Sequence, residues 1–170
     1  MPSPECEERK TEARVIAYEI GIAFRTPEWY SEAERSQKGV VQAMALECCL
    51  LHSRNLYWFF QGSRQKDDLH ASDFIKVWNP PKMPYLSSKN WKRIHKMLAH
   101  LTRKRMKYIR TDQIQWNLLC IRNEIMEAVV KFLSQVEDKF RSEIESQLKQ
   151  RFRIDPENLS RFYSTSTKPK

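Results

Sequence analysis

The hydrophobic residues of this chain recur mainly every three or four positions, which is the spacing of amphipathic α-helices. The first predicted helix runs from about Glu8 to Phe24 and stops before Pro27. Thr26 and Pro27 have the residue types that favour an N-cap and a first helical position. We therefore expect a second helix to begin there.

Residues 40–60 carry apolar side chains on nearly every side of a predicted helix. Such a helix is typically enclosed by others, and a charge on it is costly unless it is paired. The polar residues concerned are Glu47, His52, Ser53, Arg54 and Asn55. We expect a structural polar network with a later helix, in which Glu47 binds Arg105 through a bidentate contact. The same constellation, completed by His100, is the alternative basis for a catalytic site.

Prolines at positions 80, 81 and 84 predict an extended connection, because proline removes an amide donor and disfavours helix in the preceding residue. Ser87 or Ser88 is the expected N-cap of a third helix, which runs from about Lys89 to Arg105.

The last predicted helix begins at Thr111 and Asp112 and continues for about 60 Å if it is uninterrupted. Its apolar positions are Ile114, Leu118, Ile121, Ile125, Val129, Phe132, Val136, Phe140, Ile144 and Leu148. That length exceeds a domain of this mass, so we expect either a bend near residues 134–138 or a projecting end. The predicted fold is an all-α bundle of about four main helices with a long C-terminal helix. Residues 1–154 form one domain, and residues 155–170 form a polar, flexible tail.

The positive charge of the chain is concentrated in residues 82–110, which we name the basic segment. It contains ten Lys and Arg residues and no Asp or Glu, whereas the other 141 positions carry 20 basic and 21 acidic residues. Such clustering, with Tyr85, Trp91 and Tyr108 interleaved, favours a face that binds phosphates and stacks bases. The candidate nucleic-acid-binding residues are Lys89, Lys92, Lys96, Arg103, Lys104, Lys107 and Arg110. The alternative is a solvated basic helix face without a ligand.

The four cysteines form no Cys-x-x-Cys pair, so neither a zinc site nor a disulfide framework is predicted. His95 and His100 are five residues apart, which does not suit two metal ligands on one helix, and we expect no metal and no cofactor. The acidic, polar N-terminus is unlike a signal peptide, and no apolar run has the length of a membrane span. A cytoplasmic protein without a membrane partner is therefore expected.

Residues 45–60, ALECCLLHSRNLYWFF, are followed downstream by the sequence AHLTRKR at residues 99–105. This pair of stretches resembles a group of mainly bacterial helical proteins with a His-x-Arg-Asn-Leu-x-x-Phe motif and a later His-Leu-Thr-x-x-Arg. That group is similar in layout to the HEPN (higher eukaryotes and prokaryotes nucleotide-binding) superfamily. The resemblance implies a helical bundle. Members of the HEPN superfamily include dimeric, metal-independent ribonucleases of toxin and abortive-infection systems.

HEPN ribonucleases carry an Arg followed, after four to six residues, by a His, and here six residues separate Arg93 from His100. A His can move the proton of a 2′-hydroxyl, and an Arg can hold the phosphate. The polar residue that follows the family's Arg is replaced by Ile94, and Arg54 with Asn55 has no His at the required distance. The candidate catalytic residues are His100, Arg93 and Arg54.

The basic segment and the resemblance together predict an HEPN-like protein that binds RNA or a nucleotide. The resemblance adds the hypothesis of a metal-independent endoribonuclease of a toxin or defence system, and the sequence leaves open whether the protein cuts RNA. Its expected partners are RNA or a nucleotide, a second copy of the chain, and an antitoxin-like protein. The alternative from another class is a non-catalytic helical interaction module or scaffold.

Overall fold

A computed structural model describes residues 4–62, 67–94 and 116–157, together with Leu159. The predicted all-α fold is confirmed, and the described residues contain no β-strand. The helices are α1 (Pro4–Arg35), α2 (Gly39–Gln61), α3 (described over 84–94, with a π-helical turn at Leu86–Asn90), α4 (Leu118–Leu133) and α5 (Asp138–Phe152), with a short 3-10 helix at Ala71–Asp73. Within those described ranges, no helix is both long and apolar enough to cross a membrane.

The predicted break at Pro27 is wrong, because α1 continues through it to Arg35. Proline inside a helix removes one backbone hydrogen bond and costs about 3 kcal/mol in an exposed helix. Here the apolar face continues on both sides, with Phe24 and Ala33 both buried. The Thr26 hydroxyl donates to the Ile22 carbonyl, so Thr26 lies inside the helix and caps nothing. Tertiary packing therefore outweighs the local preference for a helix end.

Helices α1 and α2 form an antiparallel hairpin against which α4 and α5 pack. On one side of α1, Arg14 pairs with Glu143 and Arg25 reaches the carbonyl of Phe152, so α5 runs parallel to α1. The large side chains at the centre of the core are Phe60, Phe132, Ile20, Leu50, Leu56, Ile121, Ile125 and Ile144. Leu159, which lies beyond the predicted domain boundary at residue 154, is also buried in this core.

The bend expected near residues 134–138 is confirmed, because the predicted last helix is divided into α4 and α5. Nine of its ten predicted apolar positions, from Leu118 to Leu148, are buried, and Ile114 lies outside the described residues. The predicted start at Thr111 is wrong for the described part. Residues 116 and 117 are not helical, and the Asn117 side chain caps the helix by accepting a hydrogen bond from the Cys120 amide.

The predicted N-cap at Ser87 or Ser88 is also wrong, because both residues lie inside the helix. The helix begins at Pro84, and the Ser87 amide already donates to the Met83 carbonyl. The start of α3 is capped by a side chain of another helix. The carboxylate of Glu124 on α4 accepts hydrogen bonds from the backbone amides of Tyr85 and Leu86. Proline at the first helical position and a carboxylate at the positive end of the helix together favour this start.

The second half of α2 is far more enclosed than the first, although Leu51 is exposed, so the prediction for residues 40–60 is wrong for the first half. Val40, Val41 and Met44 are exposed, and so is Glu47. The reason is length: α1 has 32 residues and extends about 48 Å, whereas α4 has 16 residues and extends about 24 Å. The tip of the α1–α2 hairpin, residues 28–48, extends past the helices that cover the rest of α2.

Candidate nucleic-acid interface

The structure describes the first part of the basic segment, up to Ile94. Lys82 and Lys92 are exposed, and Ile94 is fully buried, which anchors this end of the segment in the core. The remaining predicted residues lie outside the described residues, as does the side chain of Lys89. They are Lys96, His100, Arg103, Lys104, Arg105, Lys107 and Arg110.

A cation–π contact joins the two described ends that flank residues 95–115. The guanidinium carbon of Arg93 lies 4.1 Å from the centroid of the Trp116 ring. Arginine stacked on tryptophan is the strongest form of this contact, and it contributes about 0.5–2 kcal/mol depending on solvent exposure. The candidate catalytic Arg93 therefore packs on Trp116, the first residue of the described range that follows residue 94.

Aromatic rings surround this point. The Trp58 and Trp91 rings meet edge to face with centroids 5.1 Å apart, and Tyr57 packs against Trp58 at 5.5 Å. Trp58, Trp91 and Trp116, which we name the tryptophan cluster, are each half-buried. Edge-to-face pairs of this kind hold rings in place while part of the π surface stays accessible.

Glu124 fixes the helix that carries Trp91 and Arg93. Its two carboxylate oxygens accept hydrogen bonds from the Tyr85 amide at 2.7 Å and the Leu86 amide at 2.9 Å. The Tyr85 hydroxyl in turn accepts a hydrogen bond from the Asn117 amide at 3.0 Å. Burial raises the pKa of Glu124, and the two backbone hydrogen bonds reduce that rise. The start of α3 is therefore bound to α4 next to the tryptophan cluster.

The predicted polar network on α2 is built around a residue that the sequence prediction missed. Glu19 of α1 lies opposite, and its Oε2 accepts hydrogen bonds from His52 Nδ1 at 2.8 Å and from Asn55 Nδ2 at 3.2 Å. His52 is buried, and its ring lies against the edge of Tyr18. The sequence does indicate that Glu19 lies near the core, since it follows Ile16 by three residues and precedes Ala23 by four. It therefore borders the apolar stripe of α1.

The hydrogen bonds that Glu19 accepts come from His52 and Asn55, whereas Glu47 lies in the first half of α2. It is exposed on the hairpin tip, where water solvates the carboxylate. His52 and Asn55 take the predicted structural role with Glu19. The predicted contact of Glu47 with Arg105 falls on a residue outside the described ranges.

Arg54 lines a cavity of about 320 Å³ beside the network. Glu19, Asn55 and Trp58 line the same cavity, and Asp67 and Asp68 lie at its rim. In the described part of the chain, the buried Nε of Arg54 has no hydrogen-bond partner. Because Trp58 also belongs to the tryptophan cluster, the cavity adjoins the point where the basic segment is anchored.

Cys49 is not a reactive thiol. Burial raises the pKa of the Cys49 thiol, which keeps it protonated, although the Thr26 and Ser53 hydroxyls and the charge of Arg122 oppose the rise. Among the described side chains, no three His, Cys, Asp or Glu residues are placed to hold a metal ion.

No family model, curated protein or solved structure matches this chain. The HEPN resemblance therefore stays a prediction that depends on the two sequence stretches quoted above.

Proposed function

We propose that this chain is an HEPN-like helical protein that binds single-stranded RNA, or nucleotides, through the basic segment. One observation carries the proposal: ten cations without an acidic residue lie in one segment, and one of them, Arg93, packs on the ring of Trp116. A solvated helix face needs neither the exclusion of acids nor an aromatic anchor. A phosphate-binding surface benefits from both.

The energetics of such a surface are largely electrostatic. Each phosphate contact on a single strand releases condensed counterions, so affinity falls by about 0.7 log units per log unit of salt for each contact. The half-buried rings of the tryptophan cluster offer stacking surfaces beside the cations, and stacking contributes about 1–3 kcal/mol per base. The exposed Lys82 and Lys92 extend the cationic surface to the described edge of the segment.

The binding experiment is fluorescence anisotropy of a single-stranded RNA at a series of salt concentrations. The Lys96→Glu, Arg103→Glu, Lys107→Glu variant should bind far more weakly and with a shallower salt dependence. The matched control, Lys38→Glu, Lys76→Glu, Lys139→Glu, makes the same charge change at three exposed positions elsewhere. Equal affinities of the two triple variants would show that only net charge matters and would contradict the proposal.

A catalytic role follows if the resemblance extends to the active residues. His100 would transfer protons, and Arg93 and Arg54 would hold the scissile phosphate, without a metal ion. Two copies of the chain would supply paired groups, and an antitoxin-like protein would be the natural control of such an enzyme. The packing of Arg93 on Trp116 supports its role in orienting a phosphate.

The cleavage test uses RNA incubated with the protein in the presence of EDTA. His100→Ala should lower the rate by about 10²–10⁴ while RNA binding changes little. His95→Ala is the matched control, because it removes the same side chain from the same segment. If neither wild type nor control cleaves any RNA, the enzyme proposal fails while the binding proposal stands.

The exposed apolar residues of the hairpin tip favour a second candidate, a non-catalytic interaction module. Val40 is 76% exposed and Met44 is 61% exposed, one turn apart on α2. Apolar residues at this spacing are typical of a helix that pairs with another helix, and the predicted partner is a second copy of the chain. Sedimentation over a range of concentrations should then detect a dimer that the Val40→Lys, Met44→Lys variant does not form.

A further inference from the structure

A separate cationic cleft lies between α1 and the C-terminal end of α5. It has a volume of about 420 Å³, which is within the range of roughly 300–1,000 Å³ typical of small-molecule sites. Arg25 and Trp29 of α1 line it, together with Arg151, Phe152 and Arg153. Among the described residues, no acidic side chain lines the cleft. None of these residues belongs to the basic segment.

The floor of the cleft is fixed by the close approach of α5 to α1. Gly21 is buried where a Cβ atom would overlap the ring of Phe152, so only glycine permits this packing. Arg25 donates from Nε to the Phe152 carbonyl at 2.9 Å and from Nη2 to the Arg153 carbonyl at 2.7 Å. Its Nη1 is bound to Glu28 at 2.8 Å. Arg25 is therefore a capping group for α5 and is not available to a ligand.

The guanidinium groups of Arg151 and Arg153 are available to a ligand. Both are exposed, and within the described ranges neither guanidinium has a hydrogen-bond or ion-pair partner. Basic residues at a helix C-terminus commonly offset the helix dipole. Here the carbonyls of Phe152 and Arg153 are already bound by Arg25, so these two cations are in excess of that need.

The backbone of Arg153 supports a role for its side chain. It follows the last residue of α5 with φ 54° and ψ 37°, the left-handed conformation in which glycine is preferred. An arginine in this conformation is disfavoured by contact between its Cβ and the backbone. A cation therefore stands at a position where the local geometry favours glycine.

Trp29 adds an aromatic surface to the two cations of the cleft. It is 43% exposed, although a large aromatic side chain is ordinarily well covered in a folded domain. It lies on the same stripe of α1 as Arg25, one turn further along. An accessible indole ring beside two free guanidinium groups matches a planar aromatic ring that carries an anionic group.

We propose that this cleft binds a nucleoside phosphate, with the base stacked on Trp29 and the phosphate held by Arg151 and Arg153. The same chemistry belongs to a free nucleotide and to one residue of a single-stranded nucleic acid. The inference goes beyond the proposed function, because the site shares no residue with the basic segment.

The experiment is isothermal titration of the full chain with AMP, with inorganic phosphate, and with a single-stranded RNA hexamer. The Arg151→Gln, Arg153→Gln variant should weaken AMP binding at least about tenfold, since two charge-assisted contacts are lost. Trp29→Leu should weaken AMP binding by about five- to a hundredfold, from the loss of stacking, and leave phosphate binding unchanged. Lys38→Gln, Lys76→Gln removes the same charge from exposed positions outside the cleft and should bind AMP as wild type does.

The Lys96→Glu, Arg103→Glu, Lys107→Glu variant separates this inference from the proposed function. It should bind AMP normally even if RNA binding through the basic segment is lost. Cleft variants that weaken only AMP binding identify a free nucleotide as the ligand, and variants that also weaken hexamer binding identify a nucleic-acid strand. Absence of AMP and hexamer binding to the cleft, or equal AMP affinity for the cleft variants and the lysine control, would overturn the proposal. Circular dichroism of each variant checks that the fold is kept.

Discussion

The two halves of α2 have the same kind of sequence but different surroundings. Residues 39–48 expose Val40 and Met44, whereas residues 49–61 bury Leu50, Leu56 and Phe60. The apolar pattern identifies a helix in both halves, but it does not indicate which half is covered. Coverage depends on where the neighbouring helices end, and α4 and α5 both stop short of the hairpin tip. The comparison predicts that substitutions of similar size will have unequal effects in the two halves.

Phe60→Ala should have the largest effect. The Phe60 ring is fully buried and contacts Phe59, Trp78 and Phe132. Truncating a buried phenylalanine removes apolar burial and leaves a cavity, which typically costs about 3–5 kcal/mol. Urea unfolding, followed by circular dichroism, measures this loss. If Phe60→Ala loses less than about 1 kcal/mol, the second half of α2 is not enclosed in the way described.

Glu19→Ala should have the next largest effect on stability. It leaves His52 and Asn55 without the carboxylate that both side chains bind, and an unsatisfied buried polar group costs about 1–3 kcal/mol. Glu47→Ala is the matched control from the exposed half and should change stability by less than about 0.5 kcal/mol. A double-mutant cycle between Glu19 and His52 measures their coupling, and a value near zero would contradict a structural role for the network.

The features that the sequence predicted depend on the local spacing of residues, and those that it missed depend on distant partners. The register of α4 and α5 is predicted by apolar positions three or four residues apart, because that spacing fixes which face is buried. The partner of His52 lies 33 residues away on α1, and the cap of α3 lies on α4. Pro27 misled the prediction because local preference favours a helix end there, whereas the buried face of α1 continues past it. Where helices pack against one another cannot be read from their individual periodicities.

A smaller effect, on pH dependence, should come from Glu124, which lies beside the enclosed half of α2. Burial raises the pKa of Glu124 above its ordinary value of about 4.3. As pH rises through the interval between the two pKa values, the unfolded chain has lost the proton while the folded chain still holds it. Stability must therefore fall as pH rises through that interval.

Glu124→Gln has no proton to lose at this position, so its stability should not show that fall. Urea unfolding at several pH values from about 4 to 7 gives the comparison, and only the change with pH is diagnostic. The substitution also replaces one oxygen that accepts from the backbone of α3 with an amide group, so absolute stability is expected to drop at every pH. Glu47→Gln is the control and should parallel wild type. Parallel curves for all three proteins would contradict the assigned environment of Glu124.

Met44→Lys should have the smallest effect on folding. Met44 is 61% exposed on the hairpin tip, so the lysine stem can lie along the same surface while its charge remains in water. The stability of the monomer should change by less than about 0.5 kcal/mol. The contrasting change, Leu50→Lys, places a charge at a buried position further along α2. It should prevent folding or lower stability severely. A marked loss of stability in Met44→Lys at protein concentrations where the chain is monomeric would show that the tip is covered. Equal behaviour of the two variants would remove the distinction between the halves of α2.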